Sequence, residues 1–280
     1  MKKVGYILVT TVLAVILFVG CERTNTLASA DTSVSNNDAQ QKSIYSGAKS
    51  VGSEESFSGE FHNNGLKYLY GGLEDLKNSY NGTKLTKNNW WGTNEELEEQ
   101  SKILLTNYFI DETNGQINSG EIQSMFEAGQ SSLNISVQDL TEAINSSGLN
   151  PAVKQYSMEI INIDKKNYGT VVSSLMDIRN KARKELTGEE LITFMNIIDV
   201  GLSSAKYWKD NLENWNILFN VEIDDQSLCF SFWGDIFLGD LIGGLSVLVS
   251  GNTDPYAIGG AALAASALTY IDKKDSVNSR

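Results

Sequence analysis

Apolar side chains recur at three- and four-residue spacing through most of the chain after residue 56, which is the pattern of amphipathic helices. The cleanest stripe lies in residues 167–186 and consists of Tyr168, Val171, Val172, Leu175, Ile178, Ala182 and Leu186. Further helices are predicted over residues 63–80, 93–114, 121–128, 136–148, 152–164 and 187–212. The pattern therefore indicates an all-α, multi-helix, bundle-like domain at about 57–280.

Two places carry a helix-start signal in which a threonine is followed three residues later by glutamate. Thr93 precedes Glu96, and Thr187 precedes Glu190. In this arrangement the hydroxyl accepts from a free backbone N–H while the carboxylate reaches back to the threonine N–H. Both sites are expected to form capping boxes.

The C-terminal part is more apolar and richer in small residues than the rest. Residues 233–249 are apolar apart from Asp235 and Asp240, and residues 256–271 carry no charge and are dense in Gly, Ala and Ser. A turn at residues 251–255 separates the two segments, so they predict a helical hairpin whose small residues let the helices approach closely. We expect a hairpin buried at the centre of the domain, with both aspartates at its rim.

A different pattern interrupts the helical spacing between residues 217 and 232. Phe219, Val221 and Ile223 alternate with polar residues, and Leu228, Phe230 and Phe232 do the same after residues 224–227. Alternation is the signature of a half-buried strand. One small β-hairpin is therefore a possible addition to the helical fold.

The first twenty-one residues have the pattern of an export signal followed by a cysteine. Lys2 and Lys3 precede an apolar stretch from Tyr6 to Phe18, which is shorter than the roughly 20 residues that a membrane-spanning helix needs. The stretch ends in the sequence LFVGC, residues 17–21. This ending resembles the lipobox of bacterial lipoproteins, although Phe18 stands where that class prefers leucine.

The resemblance implies a lipid anchor on Cys21. In bacterial lipoproteins the thiol of this cysteine takes a diacylglyceryl group, a peptidase cleaves before the cysteine, and the new amino group is usually acylated, typically with palmitate. On this interpretation residues 1–20 are a signal peptide and residues 21–56 are a lipidated cysteine with a tether. Residues 22–56 are rich in Ser, Thr, Asn, Asp and Gln and lack proline, as in flexible linkers.

Cysteine usage and charge limit the remaining possibilities. Cys229 is the only other cysteine, so we expect it to be a buried, unreactive thiol once Cys21 is lipidated. The net charge of −13 excludes a typical nucleic-acid binder, which needs clustered Lys and Arg. Removing the leader removes Lys2 and Lys3, so the mature chain is still more acidic.

Two motifs suggest sites, and each has a simpler structural explanation. Residues 110–121 resemble an EF-hand with Gly115 sixth and Glu121 twelfth, but the first ligand position holds Ile110. A helix end at Gly115 followed by a new helix explains these residues without calcium. Trp90 and Trp91 could stack on a sugar or dock a partner, but packing in the core is the favoured interpretation.

His62 is the single histidine of the chain, and no partner at catalytic or metal-site spacing accompanies it. A capping or surface role is therefore expected rather than catalysis. No Gly-rich phosphate loop with a strand before it is present, and no catalytic residue, metal ligand or cofactor is expected.

The sequence thus predicts an exported, lipid-anchored protein of a bacterial cell envelope, with the membrane leaflet left open. A non-enzymatic binding role towards a protein or a glycan is favoured. Two alternatives remain: a membrane-active protein that acts through the hairpin at 233–271, and a hydrolase that uses carboxylates.

Overall fold

A computed structural model describes residues 57–79, 90–165, 167–223 and 226–278. The predicted signal peptide and tether lie outside these residues. The described residues belong to a compact unit, Glu55–Arg280, and they form an all-α domain without strands. Its helices are α1 (Phe57–Ser79), α2 (Asn94–Glu112), α3 (Ser119–Asn134), α4 (Val137–Ser146), α5 (Pro151–Ile161), α6 (Tyr168–Glu185), α7 (Gly188–Phe219), α8 (Gln226–Val249) and α9 (Pro255–Asn278).

Local capping explains where several helices begin. At the start of α2 the Thr93 hydroxyl accepts from the Glu96 N–H at 3.2 Å, and the Thr93 N–H donates to the Glu96 carboxylate at 2.9 Å, which confirms that capping box. The box expected at the start of α7 is wrong, because the Thr187 side chain makes no capping hydrogen bond. The next residue, Gly188, has a φ of 58°, so this first turn departs from the geometry that the box requires.

Helix α9 lies at the centre of the domain. Every residue from 257 to 271 is buried, and α9 packs against α8, α3, α1, α7 and α2. Together α8 and α9 form the C-terminal hairpin, joined by a turn in which Gly251 has a φ of 85°. The predicted hairpin and its central position are confirmed.

Small residues set the distances between α9 and its neighbours. A Cβ atom added to Gly243 of α8 would lie 2.6 Å from the Ala261 carbonyl oxygen of α9. One added to Gly129 of α3 would lie 2.7 Å from the Ala264 Cβ atom. Real Cβ atoms do not approach other atoms so closely, so glycine is what permits these helix contacts.

The suggested β-hairpin between residues 217 and 232 is wrong. Helix α7 continues to Phe219 and ends at Asn220, which has a left-handed φ of 52°, and α8 begins at Gln226. Phe219 of α7 and Phe232 of α8 are buried, and Phe219 lies one helical turn after the buried Trp215. The apparent alternation spans the end of one helix and the start of the next.

The two aspartates of α8 do not share one environment. Asp235 is exposed, as expected for the rim of the hairpin. Asp240 is 0% exposed, so its predicted position at the rim is wrong. It follows Phe237 and precedes Gly244 on the side of α8 that faces the other helices, which places its carboxylate in the interior.

One described helix is long and apolar enough to cross a membrane. This is the segment Cys229–Val249 of α8, and 78% of its apolar window is buried inside the domain. Core helices of soluble proteins meet the same criteria, so length and composition alone do not make α8 a membrane span.

Candidate functional site

A cluster of polar side chains lies in the core where α1, α7 and α8 meet. His62 of α1, Ser204 of α7 and Asp240 of α8 are each 0% exposed. The Ser204 hydroxyl donates to Asp240 Oδ2, and His62 Nε2 lies 3.5 Å from the same oxygen. We call these three residues the buried polar cluster.

Helical spacing places each member of the buried polar cluster at a core position. His62 precedes Leu66 and Leu69 on the inward stripe of α1, and Ser204 lies four residues before the buried Trp208 on α7. Because residues three and four apart share one face of a helix, each polar side chain points where its apolar neighbours point. His62 is therefore not the surface or capping residue that was predicted.

The geometry of the buried polar cluster is structural rather than catalytic. In a nucleophilic triad the serine donates to the histidine, and the carboxylate orients that histidine from its other side. Here Ser204 and His62 both approach the same carboxylate oxygen, while His62 Nδ1 lies 2.9 Å from Asn63 Oδ1. All three members are enclosed, so no substrate contacts them in this conformation.

The buried polar cluster is only partly satisfied. His62 Nε2 and Asp240 Oδ1 are buried and have no hydrogen-bond partner, and Nε2 lies 3.5 Å from Oδ2 without hydrogen-bond geometry. A buried carboxylate is costly unless its charge and its lone pairs are matched. Asp240 therefore depends strongly on the few partners that it has.

A second cluster lies on the surface where α1 begins, α2 ends and α9 begins. Phe57, 38% exposed, packs edge-on against Tyr256 with ring centroids 4.4 Å apart. Desolvation, followed by the charges of Asp111 and Glu60, raises the pKa of Glu112 above its ordinary value. We call Phe57, Tyr256, Glu60, Asp111 and Glu112 the acidic surface. It consists of a pair of rings beside carboxylates that repel one another.

The tryptophan pair packs on the core, which confirms the favoured interpretation. Trp90 is 5% exposed and donates from Nε1 to the Leu218 carbonyl oxygen at 3.1 Å. Trp91 is half-buried against Phe219, and the Lys274 ammonium lies 4.8 Å from the centre of its ring. The pair therefore fixes residues 90–91 to the end of α7 and does not form an open sugar platform.

The EF-hand-like segment forms a helix end and a helix start. Asn114 and Gly115 have φ values of 50° and 71°, which end α2 through left-handed backbone. The carboxylate of Glu121, in the place of the final calcium ligand, instead accepts from the Asn118 N–H at 2.8 Å and caps α3. Among the described residues no group of three or more His, Cys, Asp or Glu is arranged to hold a metal ion.

Of the two cysteines, the structure describes only Cys229. Cys21, the predicted lipidation site, lies outside the described residues. Cys229 is 7% exposed, so its predicted burial is confirmed, but the structure has no free cysteine in the described part of the chain. The expectation of a free thiol at Cys229 is therefore wrong. The residues next to Cys229 in the sequence do not indicate the bonding state of its sulfur.

Comparisons of this chain with protein-family models, with curated proteins and with solved structures found no match.

Proposed function

We propose that this chain is an exported lipoprotein of a bacterial cell envelope, whose helical domain is held near a membrane and binds another molecule without chemical conversion. The observation that carries the proposal is the lipobox-like ending at residues 17–21, directly after a short apolar segment with a basic start. The cysteine at its end supplies the sulfur that a lipid would modify.

The expected arrangement follows from membrane physics. One acyl chain binds a membrane marginally, whereas two or more anchor a protein stably. The 35 residues from Glu22 to Ser56 would, as a flexible coil, have a root-mean-square reach of about 30–35 Å. An acidic domain is repelled by an anionic membrane surface, so the tether would hold the domain away from the lipid.

Binding is favoured over catalysis by where the reactive side chains lie. The single histidine is used inside the core, where it contacts Asp240. The acidic surface offers the exposed ring of Phe57 and the half-buried ring of Tyr256 next to carboxylates that repel one another, and a cationic partner would relieve this repulsion. A basic peptide segment is therefore the first class of partner to test.

The anchor is tested by labelling cells with radioactive palmitate. The wild-type chain should become labelled and fractionate with membranes, because Cys21 is the predicted acceptor. Cys21→Ser should lose the label and accumulate as an uncleaved precursor or leave the anchored fraction. Cys229→Ser is the matched control and should keep the label; equal labelling of Cys21→Ser and wild type would rule the anchor out.

The binding role is tested with residues 22–280 and envelope extracts, read out by co-purification and then by titration of the recovered partner. Glu112→Lys should weaken that binding at least tenfold, because it reverses a charge at the centre of the acidic surface. Glu99→Lys makes the same change thirteen residues earlier on α2, about 20 Å away, and should bind as the wild type does. Equal effects of the two variants would exclude the acidic surface.

A hydrolase remains the second candidate, because the raised pKa of Glu112 beside Glu60 and Asp111 is the pattern of a carboxylic acid that can donate a proton. If the chain hydrolyses a glycan or a peptide, Glu112→Gln should abolish turnover and leave the fold intact. Turnover that survives Glu112→Gln would remove this site from consideration.

A further inference from the structure

The side chain of Asn63 determines where one hydrogen of His62 lies. The Asn63 amide nitrogen lies 3.0 Å from the Ser203 carbonyl oxygen, which can only accept, so the NH2 group of Asn63 points towards Ser203. The oxygen Oδ1 of Asn63 is therefore the atom that lies 2.9 Å from His62 Nδ1. Because this oxygen also can only accept, Nδ1 of His62 must carry a hydrogen.

A neutral His62 does not fit the contact on the other side of its ring. A neutral imidazole has one N–H group, so a hydrogen on Nδ1 would leave Nε2 with a bare lone pair. Nε2 lies 3.5 Å from Asp240 Oδ2, and this oxygen accepts from the Ser204 hydroxyl, as an ionised carboxylate does. Two electron-rich atoms would then face each other in an interior where all three side chains are 0% exposed. The low dielectric constant of a protein interior strengthens such a repulsion, whereas a second hydrogen on Nε2 turns it into an attraction.

The other buried charges of the domain are engaged elsewhere. Apart from His62 and Asp240, the buried acidic and basic side chains that the structure describes are Asp199 and Lys274. Asp199 faces Arg179 of α6 at 3.9 Å, and Lys274 donates to the first residue of α2 at 2.6 Å. His62 is therefore the side chain that can match the charge of Asp240.

The elements packed around the pair add no further charge to it. Helix α9 carries no charged residue between residues 256 and 271, and the charged residues of α3 and α4 are exposed. The other acidic residue of α8, Asp235, is exposed, and its charge acts on Lys165. On α1, Glu60 is exposed, and the Tyr108 hydroxyl of α2 donates to the Phe61 carbonyl oxygen at 2.7 Å.

We infer that His62 is a doubly protonated imidazolium that forms a buried ion pair with Asp240, and that this pair makes the stability of the domain sensitive to pH. Unfolding exposes both side chains to water, where a histidine keeps its second proton only below about pH 6.5. The folded chain thus holds one proton that the unfolded chain has released. Stability from the pair is therefore present at low pH and is lost as the pH rises. In alkaline solution a bare Nε2 faces the carboxylate, and the contact between α1 and α8 weakens.

The protonation state can be read directly, because the chain has one histidine. Residues 22–280, which contain the whole compact unit Glu55–Arg280, are labelled with ¹⁵N-histidine. Long-range ¹H–¹⁵N correlation spectra then distinguish the imidazolium from each neutral tautomer. At about pH 8, where an exposed histidine is neutral, both ring nitrogens of His62 should be protonated. A neutral ring in either tautomer would overturn the inference.

Two variants of α8 test whether Asp240 holds the second proton. Asp240→Asn removes the charge but keeps the shape, and its amide can donate to Nε2, so His62 should be neutral at about pH 8. Asp235→Asn removes an exposed carboxylate from the same helix and should leave the His62 spectrum unchanged. An imidazolium that persists in folded Asp240→Asn would contradict the pairing. If Asp240→Asn does not fold, the wild-type spectrum still decides.

The effect on stability is measured by urea denaturation of the wild type and of His62→Gln over a range of pH. Glutamine cannot take up a proton, and both chains keep Glu112, so its contribution cancels in the ratio of their folding constants. This ratio should fall about tenfold between about pH 7 and pH 8, because one proton is released on unfolding. A ratio that does not change with pH would contradict a proton held by the folded chain.

Discussion

The C-terminal hairpin and α6 differ in how much of their helical surface is buried. In α6 the buried residues form a single stripe, Val171, Leu175, Ile178 and Ala182, and the opposite face carries charges such as Asp177 and Lys181, 3.0 Å apart. In α9 every residue from 257 to 271 is buried, and the contacts with α8 and α3 depend on glycine and alanine. Helix α6 lies at the surface of the domain, and α9 lies in its interior.

The difference implies different sensitivity to substitution. On α6 a change matters only if it falls on the inward stripe, because the other side chains remain in water. Within the hairpin, side-chain size matters on every face, since protein interiors are packed as densely as crystals. The substitutions below compare these two regions directly.

The largest expected effect is the loss of an aromatic ring that packs on the hairpin. Trp208 of α7 is fully buried, stacks on Tyr270 with ring centroids 5.7 Å apart, and donates to Ser266 at 2.9 Å. Trp208→Ala should lower the free energy of unfolding by about 3–5 kcal/mol, measured by urea denaturation. Met176→Ala on the outer face of α6 should change it by less than about 0.5 kcal/mol. Similar losses for both variants would mean that α9 is not the interior of the domain.

A smaller effect, opposite in sign between two sites, is expected from adding one methyl group. Gly243→Ala places a Cβ atom against the Ala261 carbonyl and should destabilise the domain by about 1–3 kcal/mol. Gly71→Ala in α1 meets no atom within 4 Å and should stabilise the domain by about 0.5–1 kcal/mol, because alanine favours helix. Thermal unfolding measures both. A stabilising Gly243→Ala would contradict the close approach of α8 and α9.

The smallest effect concerns a surface charge and depends on pH. Because the pKa of Glu112 is raised in the folded state, the folded chain holds that proton more firmly than the unfolded chain does. Stability from this group is therefore present at low pH and is lost as the pH rises through the raised pKa. Glu112→Gln should raise Tm at neutral pH by no more than about 2 °C and leave it unchanged below about pH 4. A lower Tm for the variant at neutral pH would mean that the ionised Glu112 is favourably paired.

The helical fold could be predicted because its signals are local. The capping residues Thr93 and Glu96, the left-handed stop at Gly115 and the stripe of α6 each act within a few residues along the chain. The burial of α9 was also predictable, since a segment without charges and with small side chains suits close packing.

The buried polar cluster could not be predicted, because it depends on contacts between helices far apart in sequence. His62 shares its stripe with Leu66 and Leu69, and this was the available signal that it faces the core. Nothing near it in the sequence indicates that Asp240 lies opposite. The suggested strand failed for a related reason, since the alternation around Phe219 and Phe232 is as compatible with two helix ends as with a hairpin.

The most direct test of the proposed function is the chemical state of the Cys21 sulfur in protein purified from bacterial membranes. Cleavage after Arg23 would release the short peptide Cys21–Arg23, whose mass shows what the cysteine carries. The account predicts a thioether-linked diacylglyceryl group and a new amino end at Cys21. A thioether sulfur cannot also form a disulfide, so a disulfide at Cys21, or a free thiol with residues 1–20 still attached, would contradict it.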